Sequence, residues 1–190
     1  MAKTGERKAQ ILQTLASMLE EPKGERITTA LLAARLEVSE AALYRHFSSK
    51  AQMFEGLIEF IEQTVFSLVN KIQGEEQEPM KQVEAIIATL LGFAQKNPGM
   101  TRVLTGDALV NEDERLQARV NQLLDRLEAS LRQSARLAVT AGALPADWDV
   151  ATYANAIIAF VIGRWHQYAK SGFRRPPLEG WQQQWRVFAV

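Results

Sequence analysis

The segment Thr28–Phe54, TTALLAARLEVSEAALYRHFSSKAQMF, constrains the fold more tightly than any other part of the chain. It reads as two short helices around a tight turn, with a third helix starting at once. Thr28 is placed to cap the first, which turns Leu31, Leu32 and Leu36 inward. Glu37-Val38 makes the turn. Ser39 caps the second helix, and Glu40 in its first turn suits the helix dipole. Val38, Leu43 and Phe47 can then point back into a small three-helix core. An earlier helix shares that core through Ile11, Leu12, Leu15, Ala16 and Leu19, and Pro22-Lys23-Gly24 breaks it. The second short helix ends in an aromatic-basic cluster, Tyr44-Arg45-His46-Phe47. This order of caps, helices, turn and basic end is how a helix-turn-helix offers a helix to the DNA major groove.

Beyond this module, apolar residues keep helical spacing almost everywhere and no strand alternation appears. A fourth helix starts near Ser49 and buries Phe54, Leu57, Ile58, Ile61, Val65, Leu68 and Val69, before the polar stretch Gln73–Pro79. A fifth is expected from about Met80 to Gln95, stopped by Asn97-Pro98-Gly99, and a short sixth over about Met100–Leu109. A long helix from about Glu112 to Thr140 and another from about Asp149 to Lys170 follow, and a short amphipathic one carries Leu178, Trp181, Trp185 and Phe188. The fold class is all-α, with about nine helices. An N-terminal three-helix helix-turn-helix module occupies residues 1–55, and a C-terminal helical bundle that dimerises occupies 56–190. Dimerisation is expected because the two long late helices are apolar on more than one face, and a second copy can cover them. Two-fold pairing also sets two reading heads one DNA turn apart, as a palindrome requires.

Composition removes other classes. The chain has no cysteine, so it holds neither a disulfide framework nor a thiolate metal site. The first ten residues lack the apolar stretch of a signal peptide, and the runs Ala85–Ala94 and Tyr153–Gly163 are too short to span a bilayer, so a cytoplasmic protein is expected. No nucleophile-elbow, phosphate-loop or dinucleotide motif is present, and no enzyme activity or cofactor is expected. Glu112-Asp113-Glu114 is the one carboxylate run suited to a metal, and it reads better as a solvated, dipole-matched helix start. Four tryptophans (Trp148, Trp165, Trp181, Trp185) either line a ligand pocket or belong to core or interface. Net charge is zero, yet residues 1–52 hold eight Lys/Arg against six Glu, which leaves that part at +2. The asymmetry permits a basic N-terminal face.

Particular side chains suit DNA. Small residues at Ser39, Ala41 and Ala42 let the helix approach base edges, where an alanine methyl can meet a thymine methyl. Tyr44 is placed for a phosphate, and Arg45 for a phosphate or a guanine. His46, Lys50 and Thr28 are further phosphate donors. Lys3, Arg7 and Lys8 can form an arm along the backbone or into the minor groove. Each has a plainer reading. The basic end can simply match a helix dipole, Phe47 is core, and His46 can be structural.

The core VSEAALYRHF…K…MF resembles the DNA-binding module of the TetR family of regulators. One departure is Glu37, where that family usually carries glycine because the residue is left-handed. A side chain there costs roughly 1–2 kcal/mol. A narrower likeness, to the nucleoid occlusion factors of the family, rests on LIEFIE at Leu57–Glu62 and on Leu90–Gln133. It implies a homodimer, or a dimer of dimers, on palindromic double-stranded DNA of the nucleoid. It further implies a cell-division inhibitor that binds the C-terminal tail of FtsZ and disrupts its polymers, so that no Z ring assembles over the nucleoid. The carried-over FtsZ face is Phe60, Gly92, Lys96 and Asn97, with Leu68 standing where relatives have arginine. An apolar groove between helices four and five, rimmed by Lys96, suits a peptide with apolar anchors and acidic groups. Periodicity by itself favours Gly92 as a packing glycine and Phe60 as core. The alternatives are a ligand-responsive repressor of the wider family and a helical interaction module with no DNA role.

Overall fold

Helical periodicity carries through to the backbone. The computed structural model describes residues 4–21 and 27–189, and among these there are nine α-helices and no strand. They are α1 (Thr4–Glu20), α2 (Thr29–Arg35), α3 (Glu40–Tyr44), α4 (Lys50–Glu75), α5 (Pro79–Lys96), α6 (Pro98–Leu104), α7 (Glu114–Thr140), α8 (Val150–Lys170) and α9 (Trp181–Trp185). The expected break at Pro22-Lys23-Gly24, and Lys3 of the expected arm, lie outside the described residues. No helix among the described residues is long and apolar enough to cross a membrane.

The chain divides into two compact units. The first takes the described residues up to Ile61 together with Asn97–Val120, and the second takes Glu62–Lys96 and the residues from Asn121 onward. Sequence reasoning treated the reading head as ending near residue 55, inside α4. The first unit runs a little further along that helix, and it also draws in α6 and the start of α7.

What recruits α6 is a close approach to α1. A Cβ built on Gly99 would overlap the carbonyl oxygen of Ala16, so no side chain fits there. Arg102, one turn on, donates through Nη1 to the carbonyls of Leu19 and Glu21, each at 2.8 Å. These belong to the C-terminal end of α1, where carbonyls have no helical partner. Glycine thus lets the two backbones meet, and arginine closes the end of α1. The expected sixth helix starts two residues early, at Pro98, because proline's fixed φ and missing N–H suit a first helical turn. It stops at Leu104, since Gly106 turns left-handed at φ 78. The rest of the unit's core is apolar: Ile11, Leu15, Leu32, Leu43, Phe54, Leu57 and Ile58 are all buried.

In the second unit, Ile86, Ile87, Leu90, Leu127, Leu131, Ile157, Val161 and Trp165 form the core. The Trp165 indole N–H donates to the carbonyl of Leu90 at 3.2 Å, and the Tyr168 hydroxyl to that of Gln95 at 3.1 Å, pinning α8 to α5. One buried polar cluster is satisfied internally: Ser134 donates to Gln82 Oε1 at 3.0 Å, and Gln82 Nε2 to the Glu76 carbonyl at 2.7 Å. Asp149 caps α8 by accepting from the N–H groups of Ala151 and Thr152. The Thr152 hydroxyl, then its backbone N–H, hold the Asp149 carboxyl below its usual range.

The tryptophans resolve towards packing. Trp181 and Trp185 lie 5.8 Å apart, Phe160 meets Trp181 at 6.1 Å and Phe188 at 5.2 Å, and Trp148 packs edge-on to Tyr153 at 5.9 Å. The outer face of α8 differs from the expected large apolar surface. Its exposed residues include Ala156, Ala159 and Gly163, a row of small groups one turn apart.

Gly99→Ala must push α6 off α1, and overpacking of this kind costs about 2–3 kcal/mol. Thermal unfolding followed by circular dichroism should show the midpoint falling by roughly 5–10 °C. An unchanged midpoint would contradict the brace.

Candidate nucleic-acid interface

Two caps build the reading head. Thr28 sits in extended backbone before α2, and its hydroxyl oxygen accepts from Leu31 N–H at 3.1 Å. Ser39 does the same for α3, accepting from Ala42 N–H at 3.3 Å. Between them Glu37 takes a left-handed conformation at φ 55, as the turn demands, although it is not glycine. Leu32, Ala33, Leu43 and Phe47 are buried beneath. The helices are tied on the outer side by a relay: Tyr44 hydroxyl donates to Thr29 Oγ1 at 3.4 Å, and Thr29 to Glu40 at 2.6 Å. That relay brings Tyr44 beside the capped start of α2. Sequence reasoning chose Thr28 and Tyr44 and missed Thr29, whose role depends on a partner eleven residues away.

The expected contact residues then separate by exposure. Thr28, Ser39, Ala41, Tyr44 and Arg45 are exposed, and Tyr44 keeps 46% of its surface. Ala42 is half-buried. Arg45 is the C-cap of α3 and points no charge at a carboxylate among the described residues. His46 is half-buried, with a buried Nδ1 that has no hydrogen-bond partner.

Three residues depart from expectation. Arg7 and Lys8 lie inside α1 rather than on an extended arm. Arg7 bonds Gln10 on its own helix, and the Lys8 ammonium lies 5.5 Å from the ring centre of Phe47. Lys50 opens α4, but its ammonium is paired with Glu112 and lies 5.7 Å from the ring centre of Phe54. The side chains of that pair are only 22% and 11% exposed. A lysine at the positive end of a helix dipole is poorly placed unless an anion answers it, and Glu112 does. Sixty-two residues separate the two, so no local pattern announced the pair. The carboxylate run is dispersed accordingly. Glu112 serves Lys50, while Asp113 accepts from the side chain and then the backbone N–H of Arg115, which pull it to about 2.

The comparisons agree with this geometry. Residues 19–57 match the bacterial regulatory proteins of the tetR family, and residues 77–190 match the tetracyclin repressor-like C-terminal domain of the SlmA-like type. The nucleoid occlusion factor SlmA of Alteromonas mediterranea is 51% identical over 96% of this chain and 93% of its own. That of a Marinomonas species is 50% identical over 98% and 95%. The chain belongs to the TetR family, in its SlmA nucleoid occlusion branch. A TetR transcription regulator from Haloarcula marismortui, 16% identical, shares the fold at a TM-score of 0.81 over 97% of both chains. The TetR family regulator PfmR from Thermus thermophilus, 22% identical, does so at 0.78 over 95% and 97%.

Within this SlmA-type chain the residues expected to meet a second partner sit as follows. Phe60 keeps 47% of its surface and Leu68 40%; eight residues apart, they share one side of α4. Exposure of Phe60 removes the plainer reading of it as core. Lys96 is exposed in the last turn of α5, and Asn97 precedes α6 with its carbonyl bonded to Thr101. Gly92 departs from the open face pictured above, because a Cβ there would meet Leu178 at 3.6 Å. The turn after α8 therefore already lies against this glycine.

Two measurements test the head. Glu37→Gly removes left-handed strain and adds unfolded-state freedom, for a net gain of about 0.5–1 kcal/mol; its melting point should rise by ~1–4 °C. Lys50→Met leaves Glu112 buried without its cation and should cost about 2–3 kcal/mol, most of it recovered in Lys50→Met/Glu112→Leu. Denaturant midpoints that fall equally for both variants would show that the pair does not matter.

Proposed function

We propose that this nucleoid occlusion factor reads palindromic duplex DNA as a homodimer, or a dimer of dimers, through the outer side of its two capped helices. The observation that carries the reading is the exposed end of α3. Tyr44 and Arg45 stand free of the core, on a helix whose first turn shows only Ser39 and Ala41 to solvent. Small residues admit the helix to a groove, and the tyrosine and arginine then reach phosphate or a guanine edge. Thr28 offers the N-terminus of α2 to the backbone. Ala42 and His46 support the surface from beneath, and Arg7 and Lys8 add positive potential from α1. Lys50 contributes its field through a neutralised pair and ranks last.

Dimerisation follows from the small-residue row on α8, which lets a second copy's backbone come close. With its twin beside it, each head meets a successive major groove. While on nucleoid DNA, the protein engages the C-terminal tail of FtsZ through Phe60, Gly92, Lys96 and Asn97 and breaks its polymers. Exposed Phe60 and Leu68 supply apolar surface, and Lys96 supplies charge. A ligand-responsive repressor gains no support from the aromatic side chains, which pack on one another.

The test has two arms. Arg45→Ala should weaken binding to a genomic palindrome by at least tenfold and make the salt dependence shallower by about 0.9 in log–log slope. In sedimentation of FtsZ polymers, protein with its DNA should reduce the pellet, and Lys96→Glu should abolish that effect while DNA affinity stays within twofold. A pellet that the DNA-bound protein leaves untouched would remove FtsZ as the target. Unaltered duplex affinity in Arg45→Ala would remove the reading head.

A further inference from the structure

Beyond the DNA-reading and FtsZ surfaces, one depression in the second unit has a composition those functions do not use. It is an open cavity of about 720 Å³ lined by His166, Gln167 and Lys170 of α8, Ser171 at its C-cap, and Arg174 and Arg175 beyond. The lining holds three permanent cations and no carboxylate, in a chain whose net charge is zero.

The turn that carries the arginines is firmly held. Ser171 Oγ accepts the N–H groups of both Arg174 and Arg175 at 3.0 Å and donates to the Tyr168 carbonyl at 2.9 Å. Gly172 and Phe173 are left-handed in succession, at φ 62 and 64. A phenylalanine accepts that conformation only when its surroundings impose it, and here its ring packs 5.1 Å from Tyr168. Downstream, Arg164 donates to the carbonyls of Pro176, Pro177 and Glu179, which secures the exit. Arg174 spends its Nε on the Ser171 carbonyl at 3.0 Å. Among the described residues neither Arg174 nor Arg175 pairs with a carboxylate.

A helix dipole accounts for Lys170, which sits in the last turn. It does not account for two arginines past the cap on a strained, pinned turn. A guanidinium fork matches phosphate oxygens two at a time, and a lysine adds a point charge. The cavity lies in the size range of small-molecule sites, and it offers no aromatic platform or strand edge for an extended peptide. We propose that it binds the di- or triphosphate group of a small molecule, held by Lys170, Arg174 and Arg175.

Isothermal titration with inorganic tripolyphosphate, and separately with a nucleoside triphosphate, tests this at constant ionic strength. Saturable binding of about one anion per chain is expected in wild type and in Arg45→Ala. Affinity should fall at least tenfold in Arg175→Glu, whose side chain makes no internal bond, with the circular dichroism spectrum unchanged. Arg174→Gln, tested in parallel, should lose several-fold. Tighter binding of the nucleotide than of tripolyphosphate would add a base or sugar contact; equal binding would assign recognition to the phosphates. Absence of saturation, or binding lost in Arg45→Ala and kept in Arg175→Glu, would overturn the proposal. The second outcome would move the anion to the DNA-reading head.

Discussion

The meeting of α6 with α1 at Gly99 is the contact on which the reading head depends. Helices α2 and α3 are short, at seven and five residues, and segments of that length do not hold themselves in water. They take their order from what lies beneath, and α1 is that support. Its last carbonyls would stand open without Arg102, and its backbone could not be approached so closely by anything but glycine. The head is therefore completed by residues about eighty positions downstream.

Polar groups on the outer surface serve two masters. The hydroxyls of Thr28 and Ser39 already cap their helices, so a phosphate would find them oriented rather than free. Tyr44 is steadied through Thr29 and Glu40. Ordering these side chains beforehand lowers the entropy lost when a ligand arrives. Arg45 is the exception among them, long and unanchored, suited to search a phosphate or a base edge.

Most of the fold was legible because helices declare themselves by period and cap. Thr28, Ser39 and Asp149 each stand one residue before the helix they cap, and α5, α7 and α8 fall within a residue or two of their expected limits. The candidate surface was legible wherever a residue's role is local, as at Tyr44 and Arg45. Long-range partnership was not. Nothing near Lys50 announces Glu112, nothing near Gly92 announces Leu178, and nothing near Gly99 announces the carbonyl of Ala16. Phe60 was missed for a different reason. An aromatic residue next to a buried stripe looks like core until neighbouring helices are in place, and only then does its exposure show.

Sequence families draw the DNA-reading module as residues 19–57, a stretch that omits both Arg102 and Gly99 and most of α1. Cut out at those limits, the piece would keep every side chain that faces DNA and lose the scaffold that orients them. A module defined by likeness is thus smaller than the unit able to fold, and transplanting this head onto another body means carrying α1 and α6 along with it.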